Sequence, residues 1–183
     1  LLALLPLACA RLPEIRATGG VAAQRTAAEC TAIFPRGAWQ FTHVIQFFPP
    51  DGSSQTLVGV VRLSSEAKRF HCVMMTIEGL VLFEAEYNGG IKIQRAIAPL
   101  DTPGVAEGMV EDIRLIFFAP EQPCSSAGLS PESTRICRYP LAEGGHQDIV
   151  LASDGTWRFH RYSSGHRLMR SVAPLAKEDI QSD

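Results

Sequence analysis

Histidines, cysteines, serines and paired carboxylates are the side chains of this sequence able to do chemistry, and their spacing limits what they could do. Five histidines are present, His43, His71, His146, His160 and His166. None stands in His-x-x-x-His or His-Glu-x-x-His spacing and no acidic cluster accompanies them, so no metal site is expected. His43 falls on the apolar side of an alternating stretch, where a hydrogen-bonded core histidine is the plainer reading. There is no Gly-x-Ser-x-Gly, and Ser53-Ser54, Ser125-Ser126 and Ser163-Ser164 read as turn chemistry. Gly89-Gly90 follows Asn88 between two alternating stretches, which a turn explains without a phosphate loop. Glu84 and Glu86 share one strand face and read as solvated positions rather than an acid–base pair. Arg158, Arg161, Arg167 and Arg170 are spread among aromatics as ordinary surface, with contact to lipid headgroups or phosphates as the functional alternative. No nucleophile, acid–base pair or cofactor motif emerges, and no enzyme activity is expected.

The five cysteines carry more. Leu1-Leu-Ala-Leu-Leu-Pro-Leu-Ala8 is an apolar stretch ending at a small residue, and Cys9 follows it. That reads as the h-region of a secretory signal running into a bacterial lipobox, in which the cysteine becomes the acylated N-terminus, with a plain cleaved signal and a buried apolar start of the fold as the alternatives. Pro6 occupies the usual aliphatic place, with Leu5 one position further back. Cys30, Cys72, Cys124 and Cys137 remain, an even number with three possible pairings in an exported protein. Cys124 and Cys137 flank a Pro/Ser/Gly loop and are the candidate disulfide, a short ring that would contribute about 3 kcal/mol. Cys72, inside Phe70-His-Cys-Val-Met-Met75, reads equally well as a buried small hydrophobe.

Something must position these groups, and the hydrophobic pattern says what. A short helix is expected near 21–33, stopped by Pro35, Arg36 and Gly37. From Trp39 the period becomes two: Trp39, Phe41, His43, Ile45 and Phe47 alternate with polar or smaller residues. Further strands are expected over 55–63, 68–77, 80–87 and 91–97. Pro49-Pro50-Asp51-Gly52, Glu78-Gly79 and Asn88-Gly89-Gly90 supply the turns. Five consecutive strands with short connections predict an antiparallel meander. Val105, Met109, Ile113, Ile116 and Phe117 then recur at helical spacing, between Pro103 and Pro120. After a loop at 120–132, alternation returns over 134–141, 148–152, 155–162 and 167–172.

Length and composition bound the rest. The 183 residues are 46% hydrophobic and 20% charged, with a formal net charge of −2. Such a chain folds around a core, lacks the concentrated basic excess of a nucleic-acid binder, and has no apolar run of about 18 residues to cross a membrane. The expected organisation is a signal and lipobox remnant over 1–9, a linker and short helix over 10–36, a single domain over 37–176, and a polar tail over 177–183. The expected fold class is α+β, mainly β: a curved antiparallel sheet or incomplete β-barrel with a helical lid, because sheet and helix must bury their apolar faces together.

Large apolar side chains crowd these strands. Phe47-Phe48 and Met74-Met75 put apolar groups on both faces at once, which core packing explains and an apolar cavity explains too. Trp39, Phe41, Ile45, Phe47, Leu57, Val61, Phe70, Met74, Leu82 and Phe83 are the candidates for lining sheet core or cavity, with Met109, Ile113 and Phe117 on the lid.

The meander, the helix and the later strands, behind a lipobox-like start, resemble the LolA/LolB superfamily of periplasmic lipoprotein carriers. They resemble more closely a family of bacterial lipoproteins built on that fold around a domain of unknown function. The likeness is carried by residues 39–118: the strand 39–48, Gly79-Leu-Val-Leu-Phe83, Tyr87-Asn-Gly-Gly90 and the helix 105–118. Gly79, Leu82, Phe83, Tyr87, Gly89 and Gly90 stand where those families carry a Gly-x-x-Leu-Phe strand entering a Tyr-x-Gly-Gly hairpin. The resemblance implies an eleven-stranded incomplete barrel with a helical lid whose cavity binds lipoprotein acyl chains. It also implies a non-enzymatic monomer anchored through Cys9 to the periplasmic face of the outer membrane, with acyl chains or lipoproteins as partners and no nucleic acid. The alternative is a structural or protein-interaction lipoprotein with a filled core. The 49–52 turn is polar where LolB presents an exposed leucine.

Overall fold

The computed structural model describes residues 12–47, 55–98, 100–102 and 104–173, with the Phe47 side chain excepted. Cys9 and the Pro49–Gly52 turn lie outside the described residues. Among the described residues, eleven strands and two helices make the protein mainly β, and those strands form two antiparallel sheets rather than a closed barrel. The chain divides into two compact units, 34–118 and 1–33 with 119–183. The span 37–176, read as one domain from the sequence, runs through both.

In the 34–118 unit, β2 (Ala38–Phe47), β3 (Gln55–Ser64), β4 (Arg69–Thr76), β5 (Val81–Asn88) and β6 (Ile91–Ala96) form the expected meander in that order. Alternation is clean on β3, where Leu57, Gly59, Val61 and Leu63 are buried and their neighbours are not. On β5 it breaks. Met74 pairs with Phe83 and Met75 with Val81, so Leu82 is the extra residue of a bulge and both Leu82 and Phe83 are buried. Helix α2 (Val105–Phe117) opens at Gly104, whose φ of 83° suits a glycine and whose N–H donates to Glu107 Oε2 at 3.0 Å. Its deepest residues are Ala106 and Val110, with Val105, Met109, Ile113 and Phe117 partly buried beside them. The expected stripe is therefore the flank of the buried face, one residue away from its centre.

In the other unit, β1 (Arg16–Ala17) edges a sheet of order β1-β7-β8-β9-β10-β11. Its remaining strands are β7 (Ser126–Leu129), β8 (Arg135–Pro140), β9 (His146–Leu151), β10 (Trp157–Tyr162) and β11 (Leu168–Val172). Helix α1 (Val21–Ala32) is joined to β8 by the Cys30–Cys137 disulfide and by Arg135 Nη1 donating to Glu29 Oε2 at 2.6 Å.

Three expectations are corrected. The strands do not make one curved sheet: among the described residues, those after α2 pair with each other and with β1, never with β2–β6. Alternation reveals a strand but not its ladder partner. The loop expected at 120–132 contains β7, whose Ser-Ala-Gly-Leu has little strand propensity and which forms because β1 and β8 pair on either side. Cys124 and Cys137 are not bridged. Ala127, not Cys124, stands opposite Cys137; Cys137 faces α1 and bonds Cys30, and the Cys124 thiol instead donates to the Ser126 carbonyl at 3.3 Å. Cys72 is a free, buried thiol, as a small core hydrophobe would be.

Candidate functional site

The candidate cavity residues separate into a sealed layer and an open rim, both in the 34–118 unit. Leu57, Val61, Phe70, Met74, Leu82 and Phe83 join Leu63, Cys72, Ala85, Leu100, Ala106, Val110 and Phe118 in one buried cluster. A side chain facing a hollow wide enough for water keeps accessible surface. Leu57 and Phe83 are only 1% and 2% exposed, and Leu100 and Val110 not at all, so no vacancy adjoins them. This layer is packed core.

The rim is shared between edge strand β2 and helix α2, which packs against β5 and β6 and reaches β2 through the Phe41–Phe117 ring contact. Phe41 and Ile45 on the strand, and Met109, Ile113 and Phe117 on the helix, pack on the core while keeping part of their surface open. Phe117 stacks on Phe41 with centroids 4.9 Å apart, and Phe41 on Trp39 at 5.8 Å. Trp39 is 50% exposed, and its Nε1 donates to the Arg36 carbonyl at 2.6 Å, which pins the indole at the end of the stack. Trp39 is thus surface rim rather than interior lining.

His43 stands between Phe41 and Ile45 on this strand. A Cβ at Gly59, its cross-strand partner, would come within 2.6 Å of His43 Nε2 and 2.8 Å of Ile45 Cδ1. Only glycine lets both side chains lie down over the sheet. Desolvation by the crowding lowers the His43 pKa below the usual histidine value, although the residue counts as exposed, so its ring is a neutral hydrogen-bonding group in an apolar seam.

The opposite face of the same sheet is polar at one end. A cleft of about 410 Å³ is lined by Arg62, Arg69, His71, Glu86 and Asn88 among others. Of the two glutamates read as solvated, Glu84 accepts from His71 Nε2 at 2.9 Å and Glu86 borders this cleft.

The other unit holds a polar group that the sequence reading missed. Arg138 donates to both oxygens of Asp148, at 2.8 and 2.7 Å, and to the Pro13 carbonyl at 2.8 Å. Asp148 is fully buried. His160 stands opposite Asp148 on β10, and the His146 and His166 rings lie 5.7 Å apart. Burial lowers the pKa of His146 and His160, and Arg138 adds to the effect on His146. An aspartate in mid-strand was the signal that could have been followed. Once the hairpin is taken to turn at 141–145, Asp148 must oppose Arg138. Of the four dispersed arginines, Arg161 and Arg170 stand opposite each other across β10 and β11, and Arg161 is engaged by Glu143.

Among the described residues no group of three or more histidine, cysteine or acidic side chains could hold a metal ion, and no helix is long and apolar enough to cross a membrane. The two free thiols among the described residues are not activated: burial raises the pKa of Cys72 to about 11 and also raises that of Cys124. The chain matches no family model and no curated protein.

Proposed function

We propose that this protein is a non-enzymatic carrier or receptor for an acyl chain, held through Cys9 at the periplasmic face of the outer membrane. In this reading the chain lies in the seam between β2 and α2, above the sealed core. The observation that carries the reading is the split itself. Phe41, Ile45, Met109, Ile113 and Phe117 remain partly open, while the residues beneath them are closed. A set of partly open apolar side chains beside one imidazole whose pKa burial lowers is the composition usual in a small-molecule site. Each methylene removed from water contributes about 0.8 kcal/mol, so roughly ten of them would leave useful affinity after ordering costs. The lipobox-like start and the resemblance to lipoprotein carriers favour the same substrate class.

The sealed layer favours a second reading, a structural or protein-interaction lipoprotein whose interior is filled by its own side chains. Native mass spectrometry separates the two. Co-purifying acyl species, and displacement of a fluorescent fatty acid that is lost in Phe41→Ser and Ile113→Asn, support the carrier. A clean apo mass with no fatty-acid binding supports the filled core. Cys9→Ser should release the protein from the membrane fraction, and unchanged fractionation would refute the anchor.

A further inference from the structure

The polar cleft of the five-stranded sheet lies on the face opposite α2 and plays no part in the seam. Arg62 stands opposite His71, which stands opposite Glu86, which stands opposite Lys92, across β3 to β6; one row along, Ser64, Arg69 and Asn88 face each other across the first three of these strands. All seven therefore project from one face, and the two arginines are diagonal neighbours on adjacent strands, within reach of one small ligand. Both are exposed, and neither has an acidic partner among the described residues. Of the carboxylates nearby, Glu84 is held by His71, while Glu86 lines the same cleft, with Lys92 across from it on one side and Arg69 diagonal to it on the other, and forms an ion pair with neither.

Two guanidinium groups that form no ion pair and outnumber the single Glu86 carboxylate at the border of a concave site are an arrangement for binding an anion. Guanidinium forks match the tetrahedral oxygens of phosphate, and the Asn88 amide and Ser64 hydroxyl add neutral hydrogen-bonding groups. The cleft is of small-molecule size at about 410 Å³. We infer that Arg62 and Arg69 form a binding site for a phosphate group, carried either by a small soluble phosphoester or by a phospholipid headgroup. The inference does not depend on the acyl-chain reading, because the cleft and the seam are on opposite faces of the sheet.

The test uses the unacylated full chain. NMR titration with inorganic phosphate, against chloride at constant ionic strength, reads the soluble source. Co-flotation with vesicles of phosphatidylglycerol in phosphatidylcholine, against phosphatidylcholine alone, reads the lipid source. Saturable phosphate binding, weakened about tenfold or more in Arg62→Ala/Arg69→Ala, assigns a soluble phosphoester. Vesicle binding alone, weakened in the same variant, assigns a headgroup. Because both side chains are exposed, the variant should melt like the parent. Arg62→Lys/Arg69→Lys, which keeps the charge but loses the fork, should bind with intermediate strength. Binding in neither experiment, or binding unchanged in the double alanine variant, overturns the site.

Discussion

Arg138 and Asp148 face each other across the β8–β9 hairpin as a bidentate pair, with the carboxylate wholly buried and the guanidinium also holding the Pro13 carbonyl. The pair therefore joins two strands to the segment that leads into β1. Removing one partner strands a charge out of water. Asp148→Ala is expected to cost about 3–5 kcal/mol in urea unfolding at neutral pH, with Asp148→Asn less damaging because an acceptor remains. A loss below about 1 kcal/mol would show that water reaches Arg138 freely.

Cys30 and Cys137 are 107 residues apart, so their bond closes most of the chain into one loop. Non-reducing peptide mapping of protein made in an oxidising compartment should find Cys30 linked to Cys137, with Cys124 unlinked. The paired Cys30→Ala/Cys137→Ala variant should lose about 2–5 kcal/mol. A Cys124–Cys137 crosslink would reinstate the pairing expected from the sequence.

The two free thiols differ in access. Cys72 is buried and its pKa is pushed up to about 11, whereas Cys124 is only half-buried. Alkylation at pH 8 followed by mass mapping should modify Cys124 first, with Cys72 reacting only on unfolding. Equal rates at both would mean that the core opens readily.

Acid should weaken the fold well above the carboxylate range. Burial lowers the pKa of His43, burial and Arg158 lower that of His160, and burial, Arg138 and His166 lower that of His146; Asp148 opposes the effect at both His146 and His160. Each binds its proton more readily unfolded than folded. Their contribution is therefore complete above the ordinary value of 6.5 and is lost as pH falls from there through the lowered folded values. Glu29 and Asp154 act only below their ordinary values of 4.5 and 3.8, which leaves the window above them to the histidines. Denaturation midpoints should fall between pH 7.5 and 5, and His160→Asn should flatten part of that fall. A midpoint constant across this range would contradict the burial of these rings.

Local patterning carried the sequence reading a long way. The helix at 21–33, the meander and the helix after it appear within one or two residues of where alternation and turn residues placed them, because both periodicities are local properties. Leu82 and Phe83 show where that stops. A bulge turns two consecutive side chains inward, and nothing in Gly-Leu-Val-Leu-Phe announces it. The α2 stripe was displaced for a related reason: Val110 and Met109 are both apolar, and only the packing of the helix against β5 and β6 selects which is deepest. Arg62 and Arg69 are seven residues apart and unremarkable in the sequence, yet the β3–β4 register makes them neighbours.

From the sequence alone came the strand-rich composition, the order of helices and strands, and the absence of a motif for metal, phosphate-loop or serine chemistry. Tertiary pairing decided that the strands form two sheets, that Cys137 meets Cys30, that the candidate cavity is sealed below an open rim, and that a buried aspartate finds its arginine. Each of these is a contact between distant positions, and its free energy depends on a register that no local window of residues contains.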